Sequence, residues 1–273
     1  MVFAKKTLGQ HFLRSQAALA KIVEAAHLSP EDTVLEVGPG EGVLTELLLQ
    51  KAGKVVAVEK DDRLIPILTQ KFAKEIVSGR LELLHADILL LDLRLKIKDL
   101  SNYKIVANIP YYITGALIRK FLQETDCPPE TMVLLLQKEV AKRIVASDKK
   151  ESILSISVKA YGTPKYIDTV KAGAFSPPPN VDSAIIAIEG ISKEFFASRK
   201  VQPPETSFRL NLKENEGRFF ALLKKGFAHP RKLLSSNLGV PTGKLKECGI
   251  AEKARPENLS LEDWKCLSVS LSD

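Results

Sequence analysis

The chain has 273 residues, of which 45% are apolar and 27% are charged, enough for one large globular domain and a smaller one. No apolar run approaches the length of about eighteen residues that a membrane-spanning helix needs, and no hydrophobic stretch follows the first lysines. We therefore expect a cytoplasmic protein without a membrane span or secretory signal. Cys127, Cys248 and Cys266 are scattered and form no Cys-x-x-Cys pair, which predicts reduced thiols rather than a disulfide or a zinc site.

The net charge of +7 is concentrated in one segment of the chain. Residues 217–246 contain seven lysines and arginines and no acidic residue, so the remainder of the chain sums to zero. Charge focused in this way favours the phosphate backbone of a nucleic acid, although an ordinary solvated helix surface is the alternative. The candidate contacts are Arg218, Lys224, Lys225, Arg231 and Lys232.

Short β-rich runs alternate with helical patterns through the first two thirds of the chain. Apolar runs bounded by Gly, Pro and Asp predict strands at residues 33–37, 54–59, 81–84, 103–107, 131–136, 153–160 and 184–188. Helical spacing predicts helices at residues 43–51, 64–73, 115–124 and 138–146. This alternation predicts a doubly wound, Rossmann-like α/β sheet over residues 1–190, with an antiparallel strand at its edge left as an open question.

The remainder of the chain is predicted to be helical. Residues 191–216 include a polar stretch with two prolines and are predicted to be a linker, and residues 217–273 are predicted to form a small all-α domain. Its helices are expected at residues 218–227, 230–238 and 242–249, and after Ser260, where Glu262 and Asp263 suit a first turn.

A glycine-rich segment follows the first predicted strand of the sheet and precedes a helix. Gly38 and Gly40 would let a nucleotide-like ligand approach the backbone closely, and the spacing differs from the Gly-x-Gly-x-x-Gly of dinucleotide enzymes. Glu59 ends the next strand, where a carboxylate can accept hydrogen bonds from ribose hydroxyls, and Asp87 follows the third strand, where it could accept one from an adenine amine. Together these residues indicate an adenosine site, although a tight turn and helix N-caps are the alternatives.

Asn108-Ile109-Pro110-Tyr111 follows another predicted strand and suits a flat ring that bears an amino group. The lone pair of such an amine is delocalised into the ring. Two acceptors, such as the Asn108 side-chain oxygen and a backbone carbonyl, could hold its protons and turn the lone pair towards an electrophile. Tyr111 could then stack on the ring, although an ordinary Asn-Pro turn is the alternative.

In this order, the motifs resemble those of ribosomal RNA adenine N6,N6-dimethyltransferases of the KsgA (RsmA) type, over nearly the whole chain. The matching positions are residues 9–13 and 36–45, Glu59, Asp87, residues 108–111 and residues 175–184. The resemblance implies a class I methyltransferase fold, S-adenosylmethionine as the methyl donor, and no metal. It places the cofactor contacts at His11, Leu13, Gly38, Gly40, Glu59, Asp87 and Asn108, and gives His11 no proton chemistry.

The same resemblance implies where the substrate binds. Asn108, Pro110 and Tyr111 would form the catalytic loop, and Tyr111 and Phe175 would hold the target adenine between them. The substrate would be two adjacent adenosines in the 3′-terminal loop of small-subunit ribosomal RNA, presented on the assembling small subunit. Independently of the resemblance, no heptad pattern or extra apolar face calls for a second copy, so we expect a monomer. One departure from the family pattern is Pro230, where an arginine is usual.

Four alternatives remain open. The same core serves Erm-type methyltransferases that modify large-subunit RNA, but residues 225–238 resemble the KsgA-type signature. An NAD-linked oxidoreductase would need a Gly-x-Gly-x-x-Gly motif and a residue that handles hydride, and neither is present. A non-catalytic RNA-binding assembly factor and a relative of mitochondrial transcription factors share the fold. The intact site residues argue against the former, and the absence of a transit-peptide pattern argues against the latter.

Overall fold

The computed structural model describes residue 5 and residues 9–92, 102–197 and 205–271, and for residues 205–211 it describes the backbone alone. The chain divides into two compact units. The first combines Met1–Ala141 with Thr163–Ile191, and the second combines Lys142–Gly162 with Ser192–Asp273. The predicted boundary near residue 190 lies close to Ile191, after which the chain passes from the first unit into the second. That residues 142–162 also belong to the second unit was not predicted from the sequence.

The first unit is built on a two-stranded ribbon and a seven-stranded sheet. The ribbon pairs β1, Phe12–Leu13, with β8, Phe175–Ser176. The sheet contains β2 Thr33–Val37, β3 Lys54–Glu59, β4 Leu81–His85, β5 Tyr103–Asn108, β6 Thr131–Gln137, β7 Thr163–Val170 and β9 Ser183–Glu189. Their order in the sheet is β4-β3-β2-β5-β6-β9-β7. Strands β2 to β6 run parallel, and β9 is antiparallel to both β6 and β7. The sheet therefore does have antiparallel pairing at one edge.

The sheet forms because its central strands are apolar on both faces, as parallel strands between helix layers must be. Val34 and Leu35 of β2 and Leu134 of β6, for example, have no exposed surface. The helices of this unit are Gln16–Ala25, Val43–Leu49, Ile65–Lys71, Ala73–Val77 and Thr114–Arg119, which runs on as a π-helical turn, Lys120–Glu124. Helix Lys138–Val145 lies where the chain passes into the second unit, and the 3₁₀ turns are Tyr111–Ile113 and Ala172–Ala174.

The second unit is helical. Its helices are Ile153–Lys159, Glu205–Gly226, Leu234–Leu238, Thr242–Glu247 and Leu261–Ser270, and its 3₁₀ turns are Glu194–Phe196 and Pro256–Asn258. Trp264 is completely buried at its centre, and the Phe227 ring stacks on it with centroids 5.5 Å apart. As predicted, Ser260 caps the last helix, and its hydroxyl accepts a hydrogen bond from the Asp263 backbone N–H. No helix in the described part of the chain is long and apolar enough to cross a membrane.

Two predicted elements are wrong. Residues 153–160 were expected to be a strand, but Ile153–Lys159 is a helix, which begins with a capping box between Ser152 and Ser155. The predicted linker is helical from residue 205 onwards, because the helix that was expected to begin at residue 218 begins at Glu205. Three strands were missed. Phe12–Leu13 and Phe175–Ser176 are two residues long each, and Thr163–Val170 contains a proline and several polar residues, a composition typical of an edge strand.

The prediction of three reduced thiols is also wrong. Cys248 and Cys266 form a disulfide that joins the residue after helix Thr242–Glu247 to the last helix, and Cys127 is a free, exposed thiol. Eighteen residues separate the paired cysteines, and two helices that pack against each other bring them together. Their sequence spacing contains no sign of that packing.

Gly226 provides a test of how tightly the second unit packs. A Cβ atom at this position would lie 2.3 Å from Cη2 of Trp264, so Gly226→Ala must displace a fully buried ring. We expect a loss of about 1–3 kcal/mol in the free energy of unfolding, measured by urea denaturation. The matched control is Gly217→Ala in the same helix, where a Cβ meets no atom within 4 Å. There the better helix propensity of alanine should raise stability by up to about 1 kcal/mol. Equal effects of the two substitutions would contradict the packing argument.

Candidate functional site

The carboxyl ends of the parallel strands open into a cleft that encloses about 1090 Å³ of space, part of it continuous with solvent. This is the edge at which open α/β sheets bind ligands. It is lined by residues 9–13, 19, 36–41, 43–44, 58–60, 86–88 and 108–113. All but one of the site residues predicted for this unit lie in the lining, namely His11, Leu13, Gly38, Gly40, Glu59, Asp87, Asn108, Pro110 and Tyr111.

The glycine loop after β2 holds the carboxylate of Glu59 in place. Gly40 has a left-handed φ of +61°, and its N–H donates to Glu59 Oε2 at 3.1 Å. A Cβ at residue 40 would come within 3.1 Å of the Phe12 ring, so the backbone conformation and the close approach both require glycine. The Asp61 N–H donates to the other oxygen, Oε1, at 2.7 Å.

Glu59 is therefore a buried acid with both oxygens hydrogen-bonded to the backbone. Burial raises its pKa, and the hydrogen bonds from Asp61 and Gly40 oppose that rise. Each carboxylate oxygen has two lone pairs, so hydroxyl groups of a ligand can still donate to it. This geometry is compatible with the predicted role as ribose acceptor, and that role stays a prediction.

Asp87 lies in the turn that follows β4, and its predicted role as acceptor for an adenine amine stays a prediction. Its Oδ1 accepts a hydrogen bond from the Leu89 N–H at 2.9 Å, as in a local turn, and its Oδ2 accepts one from Lys60 Nζ at 2.7 Å. The hydrogen bond from Lys60 lowers the pKa of Asp87, which keeps the carboxylate ionised beside the cleft. Acceptor capacity is left for a ligand, as at Glu59.

Asn108 ends β5 and is oriented by the N-terminal segment. Its Nδ2 donates to the backbone carbonyl of His11 at 3.2 Å, which leaves Oδ1 as the free acceptor of the amide. None of the residues that the structure describes donates a hydrogen bond to that oxygen. The predicted acceptor atom is thus available in the cleft that also contains Glu59 and Asp87.

Tyr111 and His11 lie side by side in the lining. The Tyr111 hydroxyl hydrogen-bonds Ser183 Oγ at 2.6 Å, and its ring centroid is 6.0 Å from that of His11, with 24° between the planes. His11 Nδ1 contacts the Pro177 carbonyl oxygen at 2.8 Å. Because a carbonyl only accepts, Nδ1 is the donor of that bond and holds the ring in place. That His11 performs no proton chemistry stays a prediction.

Phe175 is the predicted residue that the structure does not bring into the cleft. It lies opposite Leu13 in the ribbon of β1 and β8, and only 5% of its surface is exposed, in the hydrophobic core of the unit. Its ring therefore does not lie across the cleft from Tyr111 to hold an adenine. The alternative, a core aromatic beneath the proline-rich turn, describes its position.

Glu36 was not predicted as a site residue, yet among the acids in the lining it is the most deeply buried. It is 1% exposed inside β2, and its Oε2 has no hydrogen-bond partner among the described residues. Burial raises its pKa to about 8. An acid in the middle of an apolar parallel strand is the sequence signal that could have identified it.

The predicted nucleic-acid contacts lie on the second unit, and all five are exposed. Arg218 forms an ion pair with Glu214, one turn earlier in its helix. The other four have no acidic partner among the described residues, and they are Lys224, Lys225, Arg231 and Lys232. The backbone between Gly226 and Lys232 is held by Asn237, whose Nδ2 donates to the carbonyls of Gly226 and His229 at 2.7 and 3.0 Å. Pro230 occupies an exposed position within this stretch.

The strand order, the reversed strand β9 and the acid that ends β3 beside a glycine loop define the fold of class I methyltransferases. A family model described as ribosomal RNA adenine dimethylase matches residues 2–272. A protein of Dehalococcoides mccartyi described as ribosomal RNA small subunit methyltransferase A is 44% identical over 274 residues, 97% of this chain and 88% of that protein. The chain belongs to the ribosomal RNA adenine dimethylase family, which confirms the resemblance in its motifs.

Two solved structures share the fold. The crystal structure of a dimethyladenosine transferase from Plasmodium falciparum has a TM-score of 0.74 and 28% identity, with 94% of this chain and 96% of that chain covered. The crystal structure of the 23S ribosomal RNA methyltransferase ErmE has a TM-score of 0.72 and 24% identity, with coverage of 96% and 100%. At that identity ErmE is evidence for the fold alone. The predicted fold class is confirmed.

The raised pKa of Glu36 predicts a pH dependence of stability. The folded chain holds this proton up to about pH 8. Because the unfolded chain loses it near its ordinary value of 4.5, the free energy of unfolding falls as the pH rises between these values. Glu36→Gln keeps the shape and removes the titration. Measured by urea denaturation, the free energy of unfolding of the variant, relative to that of the wild type, should therefore rise by on the order of 1 kcal/mol per pH unit between about pH 5 and pH 8. A difference that does not vary with pH would mean that Glu36 is already ionised in the fold.

Proposed function

We propose that the protein transfers methyl groups from S-adenosylmethionine to N6 of two adjacent adenosines in the 3′-terminal loop of small-subunit ribosomal RNA, giving N6,N6-dimethyladenosine. The observation that supports this most directly is Asn108, whose amide is oriented so that Oδ1 remains free in a cleft with two further acids. The relative that is 44% identical over nearly the whole chain is described as a small-subunit methyltransferase. This favours small-subunit over large-subunit RNA as the substrate.

The residues of the cleft fit S-adenosylmethionine. Glu59 and Asp87 offer acceptors for ribose hydroxyls and for an adenine amine, and Gly38, with a left-handed φ of +69°, brings the backbone to the surface of the cleft. The orphaned Oε2 of Glu36, in the same wall, requires a partner that the described residues do not supply. His11, Leu13 and Gly40 would complete the contacts. When bound, this cofactor supplies a methyl group activated by its positively charged sulfur.

The chain contributes mainly positioning, because displacement at a sulfonium needs neither a metal nor a covalent enzyme intermediate. Asn108 Oδ1 accepts one N6 proton of the target adenine and turns the nitrogen lone pair out of the ring plane. The Tyr111 ring stacks on the base, and its hydrogen bond to Ser183 prevents rotation. The methylated nitrogen then loses a proton to solvent. After the first transfer a single N6 proton remains, and Asn108 can hold that one as well.

The second unit would supply RNA binding through its unpaired cations. Lys224, Lys225, Arg231 and Lys232 are exposed without an acidic partner among the described residues, as phosphate contacts must be. We extend the proposal to the setting of the reaction: a monomeric enzyme of the cytoplasm acts on the assembling small subunit during ribosome biogenesis.

The decisive experiment supplies labelled S-adenosylmethionine and purified protein to unmethylated small subunits, to large-subunit RNA and to free adenosine, followed by digestion and identification of the labelled nucleoside. N6,N6-dimethyladenosine from small subunits alone is the expected result. Label in large-subunit RNA would replace the proposal with Erm-type activity. Tight RNA binding without label would replace it with a non-catalytic assembly factor.

Asn108→Ala should separate chemistry from binding. Without Oδ1 the amine lone pair is no longer turned towards the methyl donor, so we expect methylation to fall about 100-fold or more. Cofactor affinity, measured by calorimetry, should fall by less than about tenfold, since the variant also loses the hydrogen bond to the His11 carbonyl. Asn102→Ala, at an exposed position just before β5, is the matched control and should behave as the wild type. Normal turnover of the Asn108 variant would exclude the proposed role.

Replacing Arg231 and Lys232 together by alanine should weaken RNA binding and reduce its dependence on salt. The slope of log K against log salt should decrease by about 0.7 for each phosphate of a single-stranded RNA that the variant no longer neutralises. The control replaces Lys244 and Lys246 together, which removes the same charge from residues that form ion pairs with Glu247 and Glu252. If both double substitutions change the slope equally, net charge rather than a defined contact surface determines the binding.

A further inference from the structure

The N-terminal segment of residues 9–14, which we call the strap, forms one wall of the cleft and carries the predicted cofactor contacts His11 and Leu13. Its C-terminal half is attached at several points. The Arg14 N–H donates to the Ala174 carbonyl at 2.8 Å, and the Arg14 guanidinium forms an ion pair with Glu41 at 2.7 Å. Leu13 lies opposite Phe175 in the ribbon. The other half is attached through His11, whose Nδ1 donates to the Pro177 carbonyl and whose own carbonyl accepts from Asn108. It is also attached through the side chain of Gln10.

Both ends of the Gln10 amide are hydrogen-bonded. Its Nε2 donates to Asp61 Oδ2 at 2.8 Å, and its Oε1 accepts from the Lys5 N–H, also at 2.8 Å. The side chain of Asp61 has no exposed surface. Because the acceptor is a buried carboxylate, the bond from Gln10 belongs to the strong, charge-assisted class.

Asp61 also contacts Glu59, the acid that ends β3. The Asp61 carboxylate accepts two hydrogen bonds from the Arg63 guanidinium, at 2.9 and 2.6 Å, and these lower the pKa of Asp61 far below its ordinary value. Its backbone N–H donates to Glu59 Oε1 at 2.7 Å. The residue that receives the strap is therefore the residue that fixes the carboxylate of Glu59.

We propose that Gln10 is a positioning residue for the cofactor: its hydrogen bond to Asp61 latches the strap closed and couples closure to the orientation of Glu59. This inference rests on the proposed function of the cleft. Gln10 acts through the strap. The Gln10 amide is hydrogen-bonded to Lys5 at one end and to Asp61 at the other. These bonds hold the strap, and with it His11, in place. Without the hydrogen bond to Asp61, the free energy needed to order the strap reduces the affinity for the cofactor.

The test compares two substitutions of Gln10 with a matched control, and uses calorimetry with S-adenosylmethionine together with hydrogen exchange of the protein without cofactor. Gln10→Leu keeps the size and removes both hydrogen bonds. We expect cofactor affinity to fall about tenfold, and the amides of residues 9–13 to exchange faster. Gln10→Glu keeps an acceptor for Lys5 but sets a carboxylate against Asp61, and should weaken binding at least as much at neutral pH. Gln70→Ala, at an exposed position of helix Ile65–Lys71, should change nothing.

In steady-state kinetics the KM for S-adenosylmethionine should rise in both Gln10 variants while kcat changes little, with a melting temperature near that of the wild type. Wild-type affinity in Gln10→Glu would overturn the latch, because a side chain that only fills space tolerates that change. Unchanged exchange of the strap amides in Gln10→Leu would overturn it too. Failure of the wild-type protein to bind the cofactor is a different result, since it would refute the proposed function of the cleft itself.

Discussion

The in-register parallel pairing of β2 with β3 and β5 is the constraint on which the site depends. Val37 pairs with Val58, and Leu35 pairs with Ile105. Continuing the register beyond these pairs brings Gly38, Glu59 and Asn108 side by side, at the carboxyl ends of three adjacent strands. Glu59 pairs in turn with His85 of β4, so Asp87 lies two residues beyond that pair. A slip of one residue in either pairing would turn Glu59 or Asn108 to the opposite face of the sheet.

The same register requires that acids be buried. Glu36 and Glu59 both lie within or at the end of strands whose neighbours are apolar, and burial raises the pKa of each. The chain stabilises the two differently. Glu59 receives backbone hydrogen bonds from the glycine loop and from Asp61, whereas Glu36 receives none at Oε2 from the described residues. A buried carboxyl without partners is stable only in its neutral form, so the protein has to lose stability as that proton leaves. Such a residue is kept at a functional site rather than in a core built for stability.

Much of the fold follows from local sequence pattern, and the exceptions have identifiable causes. The five parallel strands were predicted to within a residue or two. The apolar runs of β2, β3, β5 and β6 are buried on both faces, and β4, at the edge, is a short apolar run that is only partly buried. Residues 153–160 have the same short apolar character, yet a serine capping box starts a helix there, and a run so short has no decisive period. The edge strand Thr163–Val170 was missed because it is half polar. The disulfide depends on helix packing in the second unit, which no spacing of three cysteines reveals.

For the site, the motifs predicted which residues would meet but not which neighbours hold them. Nine of the ten predicted residues of this unit line one cleft, because each follows a strand end or lies in the strap. The hydrogen bond from Gln10 to Asp61 joins residues 51 apart and has no signature in the sequence, since a glutamine in a polar segment is ordinary. What sets it apart is the completely buried carboxylate that it reaches.

The motif around Phe175 predicted which segment lies beside the cleft, but not what the Phe175 side chain contacts. That segment does return to the cleft, since β8 pairs with β1 and the Pro177 carbonyl contacts His11. The phenylalanine side chain points instead into the core behind the strap, opposite Leu13. Two motifs that are more than 150 residues apart in the chain therefore form one small ribbon, and Phe175 supports the wall on which His11 sits. A substitution at Phe175 acts first on the position of that wall, and only through it on the bound ligands.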